Sequence, residues 1–371
     1  MSGGVRKVGV EEELLLVDPA TGELRALSRR VLHEHRASTA GRRDEAFTDL
    51  DEELLQHMVE TRTAPDTELA KIGDQLRAAR RTAIDAATAA GAAVAAVGTA
   101  PLVPADPPLS ESPRYQRIGQ QFGRLGRTSG TFGMHVHVDI ASDEEAVRTI
   151  DGLRPWLPVV VAVAANSPYA DNADTGYASW RQQVWTRWPS AGPTEPFGTL
   201  AEYRRVTAAL IESGAALDRG MLYFDARPAE KFPTVEVRVA DVCTDVEDAL
   251  LVAALCRALV ETVADQEPQT PAIRSDLLRA AHWRAARFGT AGDLAHPLTG
   301  GLAPAREVVE TLVAAVAPAL DAAGDRELVE AGVERVVAGT GATHQRQAFE
   351  TGGDLTAVVR DAVERTEAAA L

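Results

Sequence analysis

Val8-Gly-Val-Glu-Glu-Glu-Leu-Leu-Leu-Val-Asp18 sets three carboxylates inside a run that otherwise reads as a buried β-strand. Side chains alternate faces along a strand, so Glu11 and Glu13 share one face and Glu12 takes the other. Neighbouring carboxylates repel and lose hydration on burial, so such a pair calls for cations or donors between them. Mg²⁺ is the natural cation for oxygen ligands. The blander reading of the triplet is a strand end dipping into solvent.

Three more segments carry the same kind of face. Residues 54–63 place Met58, Glu60 and Arg62 together; residues 131–139 place His135, His137 and Asp139 opposite Met134, Val136 and Val138; residues 234–239 carry Glu236 and Arg238 on their polar side. Paired in one antiparallel sheet, these strands would form a wall of carboxylates and imidazoles, with the apolar face packed on helices. A carboxylate-rich set with a minor nitrogen share suits Mg²⁺ or Mn²⁺ better than zinc, and Mg²⁺ commonly divides its coordination between carboxylates and phosphate oxygens. Arg238 would then reach a phosphoryl oxygen. Singly, each strand has a plainer reading: His-x-His also marks metal hydrolases, and Glu236 with Arg238 could be a surface ion pair of little worth. Four coincident solvated edges would need a sheet open to water everywhere.

The 371 residues, 45% apolar, suffice for a substantial core, and we expect a single α+β domain over residues 1–371. The net charge of −16 argues against nucleic acid or an anionic membrane as partner. Two cysteines, Cys243 and Cys256, make no metal-like pair, and the N-terminus shows no apolar leader, so a reducing cytoplasm is the expected compartment. The apolar run 157–165 is short of the roughly 20 residues that span a bilayer. Outside the four segments, residues 14–27 read as a hairpin turning at 18–22, and residues 33–46 as a loop. Residues 66–90 read as a helix capped by Asp66, and residues 221–226 as a strand. Further helices are expected over 115–125, 142–165, 200–217, 245–263, 274–287, 303–322 and 354–369, with a long irregular segment at 166–198. Gly130, Gly133 and Gly339-Thr-Gly341 mark turns or close backbone approach, and no Walker A loop is present.

Gly9-Val-Glu-Glu-Glu13, Met58-Val-Glu60, Gly133-Met-His-Val-His137, the segment Asp174 to Pro189 and Thr234-Val-Glu-Val-Arg238 together resemble the glutamate–cysteine ligase type 2 family, more closely its YbdK-type carboxylate–amine ligase branch. The resemblance implies a glutamine-synthetase-like antiparallel sheet bent into a half-barrel with helices outside, and ATP with two or three Mg²⁺ ions on its concave face. It implies Glu11, Glu13, Glu60, His137, Glu236 and, seven residues before Glu60, Glu53 as metal ligands, with His135 and His137 beside the nucleotide. Arg238 and Glu60 become the catalytic pair. The implied reaction activates a glutamate-like carboxylate as an acyl phosphate, which an amine such as cysteine displaces, in a homodimer or larger assembly. Arg181 and Arg227 are candidate binders of substrate carboxylate, whereas Trp180 and Trp185 read as core anchors. A hydrolase built on His135 and His137, and a non-catalytic nucleotide or metabolite sensor, are the competing readings.

Overall fold

The four half-polar strands do assemble into one sheet. The computed structural model of the chain describes residues 4–39, 50–52, 55–103, 112–127, 130–264, 266 and 273–371. The first half runs β1 (Val8–Val17), α1 (Ser28–Thr39), β2 (Asp51–Glu52), β3 (Met58–Arg62), α2 (Leu69–Ala90), β4 (Ala93–Ala95), α3 (Pro113–Phe122), β5 (Gly133–Asp139), α4 (Asp143–Leu153) and α5 (Leu157–Val163). Then come the small β6 (Tyr169–Ala170) and β7 (Ala173–Asp174), α6 (Trp180–Trp185), α7 (Leu200–Glu212), β8 (Ala226–Pro228), β9 (Thr234–Asp241) and α8 (Val246–Ala264). The chain closes with α9 (Ser275–Phe288), β10 (Asp293–Ala295), β11 (Leu302–Pro304), α10 (Ala305–Ala323), α11 (Arg326–Ala338), α12 (Gly341–Gly352) and α13 (Leu355–Ala369). The main sheet is antiparallel in the order β2-β3-β1-β5-β9-β8, with β4 also paired to β1.

Period two sorts the residues as the sequence suggests. Val8, Val10, Val136, Val138, Val235 and Val237 enter one apolar cluster with the helices behind the sheet. That cluster includes α8, apolar nearly all round and enclosed by α2, α4, α10 and α11. Glu12 lies on this apolar side and is completely buried. Its carboxylate accepts two bonds from Arg80 of α2, Nε to Oε2 at 2.9 Å and Nη2 to Oε1 at 2.6 Å. Arg80 also donates to the carbonyls of Cys243 and Thr244, just past β9. One guanidinium therefore ties β1, α2 and the exit of β9 together.

A second buried polar knot anchors the long segment after α5. Asp241 accepts from Ser167 Oγ at 2.7 Å, Ser179 Oγ at 2.8 Å and Asn166 N at 2.9 Å. The Asn166 amide bridges the Ala96 and Val242 carbonyls, and Gln345 of α12 donates to Asn166 Oδ1 at 2.8 Å. A Cβ at Gly341 would lie 2.1 Å from Asn166 Oδ1, so this glycine permits a close backbone approach.

Several local expectations need correction. The turn at 18–22 forms, with Asp18 Oδ1 accepting from Ala20 and Thr21, but the return is a single bridge at Leu24 and helix α1 occupies much of the expected loop. Asp66 pairs with Val8 and accepts from Glu68 N, so α2 begins only at Leu69. The strand expected at 221–226 forms at Ala226–Pro228 instead, because there β8 can pair with β9. Neither α11 nor α12 was anticipated: α11 packs Gly332 against Leu251 of α8, and α12 packs against α13 and seats Gln345 on the Asn166 knot.

Arg80→Met should leave Glu12 buried without its partner and lower the unfolding free energy by about 3–5 kcal/mol in chemical denaturation, whereas Glu12→Leu combined with Arg80→Met should recover most of that loss. Stability unchanged in the single variant would contradict the role given to this pair. A Cβ at Gly133 would come 2.2 Å from Arg181 Nη2, so Gly133→Ala should destabilise by about 1–3 kcal/mol.

Candidate active site

Sheet register brings the polar residues into one row. Glu13 stands opposite Glu60, Glu11 opposite His135, His137 opposite Glu236, and Glu236 opposite Arg227. The β5–β9 ladder slips between Met134 and Val136, a bulge that leaves Arg238 and Val239 across from His135. Bulges re-aim side chains, and this one sets Arg238 on the same carboxylate as Arg227.

The contacts are those of a compact ionic cluster. Glu11 Oε2 lies 3.4 Å from His135 Nδ1 and 3.5 Å from His137 Nε2. His135 is also 3.8 Å from Glu236 Oε1 and 3.9 Å from Glu13 Oε1. Arg227 Nε donates to Glu236 Oε2 at 2.7 Å, and Arg238 donates to Glu236 Oε1. Glu13 Oε2 accepts from the Gly133 amide at 2.5 Å. Burial opposes ionisation of Glu11, yet the neighbouring His135 and His137 outweigh it and hold the carboxyl well below the usual range. Glu236 is likewise kept low against its burial by Arg238 and Arg227. Burial, then Arg238, push His135 down; His137 is also opposed by burial, but Glu11 raises it.

The donor set fits a divalent cation. Among the described residues, Glu11, His137 and Glu236 each offer a ligand atom within 4.8 Å of the others. His137 Nδ1 is engaged by Thr234 Oγ1 at 3.0 Å, while its buried Nε2 has no hydrogen-bond partner. An imidazole fixed through one nitrogen with the other left open is the usual state of a metal-ligating histidine. His135 Nε2 is buried and unbonded as well. Glu13 and Glu60 line the adjoining cavity, and Glu53 lies outside the described residues.

Two cavities meet at this wall. The first, about 220 Å³, reaches from Glu11, Glu60 and Arg238 to Arg114, Tyr115, Trp185 and Tyr223. The second, about 810 Å³, shares Glu11 and Glu60 but is rimmed by Arg29, His33, Arg36, Arg62 and Lys231. Arg238 lies over the rings of Trp185 and Tyr223, 5.6 and 6.0 Å from their centroids. Trp185 packs against the core, as expected, and also walls the cavity, and Trp180 is half-buried against Tyr177. Tyr115 and Tyr223 were not foreseen; single tyrosines in a helix and a turn carry no spacing signal.

Two arginines differ from their sequence reading. Arg181 is fully buried and donates to the carbonyls of Arg238 and Val239, so it satisfies the bulge and offers nothing to a solute. Arg227 lines the first cavity, but its Nε and Nη2 face Glu236 and its Nη1 donates to the Gly220 and Leu222 carbonyls, which makes it a holder of Glu236. The further histidines that a hydrolase site would need are elsewhere: His282 sits buried 3.1 Å from Asp225, and His296 contacts Thr311. Among the described residues no helix is long and apolar enough to cross a membrane.

Known proteins share this arrangement of chain. The model of glutamate-cysteine ligase family 2 (GCS2) matches residues 7–365. A Nocardioides sp. protein with the provisional name glutamate–cysteine ligase 2-1 is 56% identical, over 98% of this chain and 97% of its own. A Streptomyces coelicolor protein provisionally named glutamate–cysteine ligase 2 is 45% identical, over 98% of this chain and 100% of its own. Among solved structures, the Francisella tularensis glutamate–cysteine ligase in complex with AMP superposes with a TM-score of 0.69 at 12% identity, covering 99% of this chain and 89% of that one. A bifunctional glutathione synthetase from Pasteurella multocida gives 0.70 at 12% identity, covering 99% and 53%. These likenesses show the same fold, and the sequence match over nearly the whole chain shows that it belongs to glutamate-cysteine ligase family 2.

Proposed function

We propose that the chain, acting as one catalytic domain, is an ATP- and Mg²⁺-dependent carboxylate–amine ligase. It would activate the γ-carboxylate of glutamate or a similar acid and join it to an amine such as cysteine. The observation that carries this reading is the convergence of Glu11, His137 and Glu236 within one ligand sphere, with Arg238 at its edge, in a member of this family. Two cavities sharing Glu11 and Glu60 suit a reaction that brings separate substrates to one point.

The chemistry follows from charge. A substrate carboxylate attacking the γ-phosphorus of ATP brings two anions together, so screening must come first. Bound Mg²⁺ would supply that screening and draw electrons from the phosphoryl oxygens. Glu11, His137 and Glu236 would hold it, with Glu13 and Glu60 beside them. Arg238, which lies over the Trp185 and Tyr223 rings, would meet charge on the transferring phosphoryl group. The oxygen–phosphorus bond forms as ADP leaves. The amine then attacks the acyl carbon and orthophosphate departs, while Glu60, which borders both cavities, is placed to accept the proton the nitrogen loses.

Incubation with Mg²⁺, ATP, glutamate and a panel of amines should release ADP, and hydroxylamine should trap the activated acid as a hydroxamate. ATP binding without turnover for any acid and amine would favour the sensor instead. Glu11→Gln and Arg238→Ala should each lower kcat by about 100-fold or more with circular dichroism unchanged; near-normal turnover in either would refute the site assignment.

A further inference from the structure

A third cavity, about 350 Å³, lies behind Arg227, the one residue it shares with the first cavity. Arg204, Arg219 and Arg227 line it together with Tyr203, and among the described residues Asp143 and Glu230 are the acids on its wall. Of the three guanidinium groups, Arg227 is paired with Glu236 and Arg204 with Asp143, and Arg219 is the one left without a carboxylate partner among the described residues, in a chain of net charge −16. We propose that this cavity binds a small tetrahedral oxyanion, orthophosphate or the phosphate group of an ester.

The arginines are available to different degrees. The Arg219 side chain makes no hydrogen bond or ion pair among the described residues, though it is exposed beside the cavity. Among the described residues Arg204 is held by Asp143 alone, at 3.1 Å, with the two side chains 59% and 64% exposed. An ion pair that open to water is worth little and gives way readily to a doubly charged ligand. Arg227 is fixed by Glu236 and the backbone carbonyls, so it forms a rigid wall of the hollow while its charge is already matched by Glu236. Burial pushes the Tyr203 phenol up to about 12, so near neutral pH it remains a hydrogen-bond donor. A fork of arginine donors with a hydroxyl matches the unprotonated oxygens of a phosphate dianion, which accept hydrogen bonds in the same geometry whether the fourth oxygen carries a proton or an ester. This binding does not depend on the ligase reading, because neither Arg204 nor Arg219 lines the catalytic cavity.

Calorimetric titration of the metal- and nucleotide-free full chain with orthophosphate, and separately with glycerol 2-phosphate, tests the proposal. We expect saturable binding of one anion per chain, weakened about tenfold or more in Arg204→Ala combined with Arg219→Ala and kept within about threefold in Arg238→Ala. Binding of orthophosphate alone would mark a free-ion site; tighter binding of the ester would mark an esterified ligand. Unaltered circular dichroism checks that the exposed double variant folds. The proposal is overturned if no saturable binding occurs up to about 10 mM, a range still measurable for millimolar affinities. It is equally overturned if Arg238→Ala abolishes binding while the Arg204/Arg219 variant retains it.

Discussion

Three consecutive glutamates on a strand cannot all face one way. With Glu11 and Glu13 on the cavity side, period two drives Glu12 into the core, and Arg80 is what makes that tolerable. A buried ion pair contributes little net stability compared with apolar residues of the same shape, but breaking it is costly. Its value here is geometric. By joining β1 to α2 and to the end of β9, it holds the strand that carries two of the acids against the strand that carries Glu236 and Arg238.

The polar face then works as a set of offset charges. Glu236 lies between two arginines and Glu11 between two imidazoles, so both carboxylates stay ionised despite burial. The bulge in β9 aims Arg238 at this cluster, and its two freed carbonyls are taken up by Arg181 from the neighbouring segment. Gly133 leaves the space in which that guanidinium lies. The placement of the polar row thus rests on the fully buried arginines Arg80 and Arg181.

The parts legible in the sequence are those set by local alternation. Glu-x-Glu, His-x-His and Glu-x-Arg each announce a polar face within a few residues, and the antiparallel sheet with its outer helices follows from pairing those faces. The buried layer was hidden because its partners are remote. Arg80 belongs to the basic run Arg77 to Arg81, which reads as a solvated helix face, and only the folded chain turns it toward Glu12, 68 residues away. Arg181 sits in an aromatic, charged stretch that suggests a ligand pocket, and its true partners are carbonyls exposed by a bulge that no pattern announces. The same holds for the cavity tyrosines, and for α11 and α12, whose small residues give a weak periodic signal.

A crystal structure of the protein soaked with Mn²⁺ and a non-hydrolysable ATP analogue tests the central claim most directly. An anomalous peak is expected within about 2.0–2.3 Å of Glu11, His137 Nε2 and Glu236, with Arg238 drawn from Glu236 toward the terminal phosphate. A peak elsewhere on the chain, or none between these three side chains, would contradict it.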